Sequence, residues 1–188
     1  MKKKLREKEM TNSVEVDVII NDEISWLERV DFDATKVANE LASITFEHIK
    51  NNVEGSVLDA EKEFLLNVCL SNDEEVWNLN KEFRGMDKPT NVLSFANIDD
   101  DDFESMLEGD DKVELGDIII AFETLEKEAN EKCISVYAHY CHLLVHGFLH
   151  LLGFDHIEDD EATEMEGLEV EILEMFSIDN PYKDMEEI

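Results

Sequence analysis

HGFLHLLGFDH, residues 146–156, is the stretch on which the reading of this chain turns. His146 and His150 stand four apart, so on a helix of about 3.6 residues per turn both imidazoles lie on one face. Gly153 is free to take the left-handed conformation that ends a helix, which lets the chain turn and bring His156 back to the pair. Three neutral imidazoles converging on one point suit a tetrahedral zinc ion whose fourth position stays open, the arrangement of catalytic rather than structural zinc. His142, four before His146, offers a competing helical trio of His142, His146 and His150. That trio spans two turns, about 12 Å of helix, too far for its outer rings to share one ion. His142 is therefore assigned to packing or to the support of a ligand, and His139 to the core.

The flanking sequence gives this stretch a scaffold. Ser135 can cap a helix whose positions 134, 138, 141, 145, 149 and 152 form a wide apolar face, so the histidine helix is expected to be largely buried. Beyond His156, Ala162, Met165, Leu168, Ile172 and Met175 recur at helical spacing, with Gly167 a weak point and an acidic outer face. Upstream, Val14, Val16, Val18 and Ile20 alternate with polar residues as a half-buried strand does, and Asp33 can cap a helix to about residue 51. NDEIS between them reads as a turn. A second strand is expected over 61–70 and a helix over 73–83 with a seam of Val76, Leu79 and Phe83. FRGMDKPTNVLSF then turns at Gly85 and Pro89, presenting Arg84 and Lys88 on a loop before a strand at 91–95. Residues 97–111 read as a solvated or disordered acidic loop. The run Asp99 to Asp102 lacks the sixth-position glycine and twelfth-position glutamate of an EF-hand. A strand at 117–122 and a short helix at 123–130 complete the order.

Composition bounds the function. With 188 residues, 43% of them hydrophobic, the chain suits one domain over 14–188, preceded by a disordered basic tail over 1–13. The longest apolar stretch, near 143–154, carries two histidines and is too short for the roughly 20 residues of a spanning helix. MKKKLREKEM leads into no apolar signal region, and Cys69, Cys133 and Cys141 are odd in number without metal-type spacing. Buried thiols and a cytoplasmic location, with no membrane, are the expectation. The net charge of −32 opposes general binding to polyanions, and five of the sixteen basic residues stand in the first eight positions. Any nucleic-acid function must use a local basic site.

The histidine spacing is that of the metzincin proteases, HExxHxxGxxH, but Gly147 stands where those enzymes carry the glutamate base. Peptide hydrolysis is thereby disfavoured unless Asp155 or a carboxylate from elsewhere substitutes. HGFLHLLGFDH, together with FRGMDKPTNVLSF, ELGDIII, EMEGLEVEIL and NPY in that order, resembles the YbeY family of bacterial endoribonucleases over about residues 61–182. Residues 1–60 match only as strand then helix. The resemblance implies a zincin-like α+β domain, a mixed sheet of about four strands flanked by helices with the metal-binding helix central. It implies one zinc ion per chain on His146, His150 and His156, and Arg84 as the functional arginine. It further implies single-strand-specific RNA cleavage, 3′ end maturation of small-subunit ribosomal RNA and ribosome quality control. The implied partners are the small ribosomal subunit, one of its proteins and an Era-type GTPase.

Residue chemistry gives these parts their tasks. Such a zinc ion polarises a phosphoryl oxygen and acidifies water. A guanidinium at Arg84 can hold a phosphate by two hydrogen bonds and stabilise its growing charge. Lys88, Asn91 and Ser94 could line the approach, and Asp155 could support a ligand histidine or simply shape the turn. Two rival readings stand beside this one: a zincin-type peptidase, and a non-catalytic assembly factor in which zinc only shapes the fold.

Overall fold

The computed structural model describes residues 13–60 and 62–183. The period-2 alternation near the start builds β1 (Ser13–Ile20). The tail expected over 1–13 lies outside the described residues, apart from Ser13, which opens that strand. Two further strands, β2 (Glu63–Ser71) and β4 (Lys112–Ala121), run parallel to β1, while β3 (Val92–Ala96) pairs antiparallel with β4, giving a mixed sheet of order β1-β2-β4-β3. The architecture is α+β, as expected.

The two faces of the sheet are treated differently. Phe64, Leu66, Val68, Leu70, Ile118 and Ile120 enter the main core with two long helices, α2 (Ala34–Asn52) and α6 (Val136–Leu151). Asp33 caps α2 by accepting from the Lys36 N–H at 3.0 Å, and the Tyr140 hydroxyl donates to the Ala34 carbonyl at 2.9 Å, joining α6 to the start of α2. On the opposite face, α3 (Asp73–Arg84) covers only β3 and β4, packing Val76 and Leu79 against Leu93, Phe95, Ile119 and Ala121. Farther along that face Asn67 of β2 donates to Glu114 at 2.7 Å and to Asp117 at 2.9 Å.

Close approaches fix the sheet's shape. Leu115 is the extra residue of a bulge in β4, since Leu65 pairs with Glu114 and Leu66 with Gly116. Gly116 has φ +130°, and a Cβ there would lie 2.0 Å from the Phe95 carbonyl oxygen, so only glycine lets β3 close on β4.

The structure departs from expectation in several places. NDEIS is not a turn: Asp22 caps α1 (Glu23–Glu28), which carries Trp26 into the core. The Trp26 indole N–H donates to the Ser71 carbonyl at 2.9 Å, and the ring meets Phe122 and Tyr140 at 5.3 and 5.4 Å. The acidic stretch is not a loop either. It holds a 3-10 turn and α4 (Phe103–Gly109), because Phe103, Met106 and Leu107 form an i, i+3, i+4 stripe that packs on the core beneath the surrounding carboxylates. Arg84 closes α3 rather than standing on the following loop, Phe83 is exposed at the seam's end, and Cys133 is exposed while Cys141 is buried. The fourth strand starts at Lys112, five residues before the expected 117. The remaining helices are α5 (Phe122–Glu131) and α7 (Asp159–Met175). Among the described residues no helix is long and apolar enough to cross a membrane.

Replacing Trp26 by Ala should cost about 3–5 kcal/mol, the range for truncating a large buried aromatic, and should be read from the midpoint of urea unfolding.

Candidate functional site

The site is built on the last turns of α6. Ser135 accepts from the Ala138 N–H at 3.0 Å and starts the helix. A Schellman arrangement ends it: the Phe154 N–H reaches the Leu149 carbonyl at 3.1 Å, the Gly153 N–H reaches the His150 carbonyl at 3.0 Å, and Gly153 has φ +88°. The chain reverses there, and the Asp155 carboxylate accepts the His156 N–H at 2.7 Å. Asp155 thus shapes the turn and supports no histidine ring by a hydrogen bond of its own. One ligand atom from each of His146, His150 and His156 can be chosen so that all lie within 4.8 Å of one another. The ring centroids are 4.5 Å apart for His146 and His150, 5.3 Å for His146 and His156, and 5.1 Å for His150 and His156.

The far nitrogens of the helical pair are already engaged. The His146 Nδ1 donates to Glu169 at 2.9 Å and the His150 Nδ1 donates to the Phe154 carbonyl at 2.9 Å, leaving their two Nε2 atoms 3.2 Å apart and facing one another. This assigns the tautomer in which Nε2 is a lone-pair donor, the form that binds a metal. Burial and the neighbouring His146 and His156 rings push the His150 pKa down to about 4, so it is neutral near pH 7. The donor set, its tautomers and its spacing fit a zinc ion.

Glu169, on α7, organises the surroundings and was not singled out from the sequence. It is fully buried, and its carboxylate accepts from His146, from the His142 Nε2 at 2.8 Å and from the Tyr182 hydroxyl. Burial by itself would raise its pKa, yet the bonds from His142 and His146 prevail and bring it down to about 2. Burial and the adjacent Glu169 charge push Tyr182 upward, so its hydroxyl stays a donor. A signal existed: residue 169 lies four after Met165 and three before Ile172, on the buried stripe where a carboxylate is out of place. His142 supports a neighbour through Glu169 rather than joining the triad.

Gly147 has a steric cause. A Cβ there would lie 3.0 Å from the Ile118 side chain of β4 and 3.1 Å from the Ser94 hydroxyl of β3, so any larger residue, a glutamate included, would have to push those side chains aside. Ser94 also ties in the arginine, since its carbonyl accepts from the Arg84 guanidinium at 3.0 Å. One strand residue therefore touches the helix beside His146 and anchors Arg84, whose side chain is otherwise exposed. Asn91 has a structural partner: it donates to Glu128 at 2.8 Å, and that carboxylate also takes the buried His139 Nε2 at 2.7 Å. Lys88 is exposed on the loop after α3. Nearby, Ile98, Gly153, Phe154 and Asp155 border a cleft of about 370 Å³.

Two expectations follow. Glu169→Gln should weaken zinc binding about 10–100-fold in a chelator competition, the usual effect of losing a carboxylate behind a ligand histidine. Metal-free protein should lose stability as pH falls below about 6.5. His139 and His150 are both held below their ordinary 6.5 by burial, so the unfolded chain takes up their protons first. Glu128, lowered by its His139 bond, and Glu169 add a further loss below about 4.5. Urea midpoints from pH 8 to 4 check this, and His139→Gln should flatten the upper part of the curve.

The comparisons with known proteins agree with one another. A family model described as endoribonuclease YbeY matches residues 29–177. The chain is 52% identical over 120 residues to the endoribonuclease YbeY of Sphingopyxis alaskensis, covering 63% of this chain and 71% of that one. To the endoribonuclease YbeY of Rhizorhabdus wittichii it is 40% identical over 168 residues, covering 89% and 96%. The solution structure of a Thermotoga maritima protein has the same fold, with TM-score 0.52 and 24% identity over 85% of this chain and 87% of that one.

Proposed function

The chain belongs to the YbeY endoribonuclease family, and from that premise we propose that it is a zinc-dependent endoribonuclease that cuts single-stranded RNA. Its proposed work is maturation of the 3′ end of small-subunit ribosomal RNA and ribosome quality control, in the cytoplasm. Partners would be the small subunit, one of its proteins and an Era-type GTPase. The metal-holding helix and turn would be of zincin type. The observation that carries the reading is the convergence of His146, His150 and His156 beside a strand that also anchors Arg84.

His146, His150 and His156 would hold one zinc ion. That ion supplies Lewis-acid chemistry toward a phosphoryl oxygen and toward water. The protein's own groups do the rest. Glu169 and the Phe154 carbonyl keep the two helical imidazoles turned inward. Arg84 uses one N–H on the Ser94 carbonyl, which steadies the guanidinium while leaving donors to grip the scissile phosphate and offset its gathering negative charge. Because its charge is permanent, Arg84 positions and stabilises but exchanges no proton.

Gly147 weighs against a peptidase, because the position of that enzyme's base carries no carboxylate and is crowded by Ile118 and Ser94. The β3 edge points the same way: the Ser94 carbonyl, which a peptide strand would need for pairing, is taken by Arg84.

Arg84→Ala should lower kcat on single-stranded RNA about 10²–10³-fold while retaining zinc, and His146→Ala should lose both zinc and cleavage. Metal analysis alongside gel assays measures both, with duplex RNA and casein remaining uncut. Cleavage unchanged in both variants would sink the assignment.

A further inference from the structure

We propose that Phe83 is a stacking platform for an unpaired base, next to the phosphate contact at Arg84; this deepens the endoribonuclease reading and takes its substrate from it. Phe83 continues the α3 seam by helical spacing but runs past the end of the packed surface and is 64% exposed. Among the described residues its one ring contact is with Phe95 of β3, edge to face, with centroids 5.5 Å apart at 71°. That contact sets the attitude of the ring and leaves much of it bare. A large bare aromatic would be better hidden in a helix serving only to cover the sheet.

The surroundings say what would cover it. Lys81, Arg84 and Lys88 stand within eight positions, opposed there only by Glu82 and Asp87. Asp87 accepts from the Lys81 ammonium at 2.8 Å and from the Trp77 indole N–H at 2.9 Å, so that pair offsets itself and leaves Arg84 and Lys88 facing Glu82. In a chain with net charge −32, of whose sixteen basic residues five lie in the first eight positions, this is a local concentration of positive charge. It attracts a polyanion. Bare aromatic carbon beside cations selects a polyanion that also offers flat apolar faces, which is single-stranded nucleic acid; a duplex keeps those faces stacked inside. So acidic a body can make few phosphate contacts, so ring stacking has to carry affinity that a basic nuclease would draw from charge. A strand gripped at Arg84 on the outer edge of β3 would lay a neighbouring base on Phe83.

The experiment measures binding apart from cleavage. A fluorescent oligoadenylate is titrated into His146→Ala protein by anisotropy, and an abasic ribose-phosphate oligomer of equal length serves as control. Added to that background, Phe83→Ala and Phe83→Leu should each raise Kd for oligoadenylate about tenfold, Phe83→Tyr should restore it, and none should alter Kd for the abasic oligomer. Thermal melts establish that each variant is folded. Equal Kd in the Ala variant and its parent overturns the platform, as does a Leu variant that binds like Phe, since an apolar side chain without a ring would then suffice. Failure of the parent to bind oligoadenylate also overturns it. Zinc-loaded wild type that binds RNA through Phe83 but never cuts it overturns the endoribonuclease reading alone; wild type that cuts RNA with Phe83→Ala unchanged in Kd overturns the platform alone.

Discussion

Helix α6 packs tightly on the sheet at residue 147, which has no side chain to hold it away. Ile118 and Ser94 fill the space a Cβ would need, so the helix is seated on β4 and β3 one residue after the first triad histidine. Everything at the site inherits its place from that contact. His146 and His150 are aimed by the seated helix, His156 by the glycine-terminated turn that follows it, and Arg84 by the carbonyl of the same Ser94. A glutamate at 147 would supply a base but crowd that contact. The chain therefore brings together a histidine triad, related in spacing to that of proteases, that could hold a metal, with no carboxylate beside its first member.

Much of this was legible in the sequence where spacing and burial obey one rule at a time. The convergence of the three histidines, the Ser135 and Asp33 caps and the alternating strand at the start all read correctly, because each depends on local periodicity, a glycine turn or a single capping hydrogen bond. What escaped depends on two patterns overlaid. In α4 the apolar stripe of Phe103, Met106 and Leu107 is masked by eight acidic residues between 99 and 111, and composition outweighed periodicity. Glu169 escaped for the converse reason: it sits among acidic neighbours on a helix whose outer face is acidic, so its inward position looked like more of the same. Trp26 escaped because α1 is six residues long, too short to show a period.

Charge divides the molecule as clearly as packing does. From Cys133 onward Lys183 is the only basic residue against fourteen acidic ones, whereas the end of α3 and its loop concentrate cations. Within this −32 chain the acidic residues are largely solvent-facing, and those drawn inward are compensated individually: Glu128 by His139 and Asn91, Glu169 by two histidines and a tyrosine. Glu169, fully buried, is tolerated because His142, His146 and Tyr182 all donate to it, and removing one of these donors would leave its charge less compensated. The acidic surface accordingly disfavours an anionic ligand over most of the molecule, and least of all near the end of α3.

The Glu169 network also orders events in time. A ribosome makes the histidines of α6 before it makes the carboxylate and hydroxyl that orient them, since Glu169 and Tyr182 follow His146 by 23 and 36 positions. Until those residues have emerged, nothing fixes which nitrogen of His146 bears the proton, and a passing cation meets a loose imidazole rather than a set one. A later-made carboxylate thus orients an earlier-made imidazole, and His146 takes its set tautomer only once α7 has been made and has packed against α6.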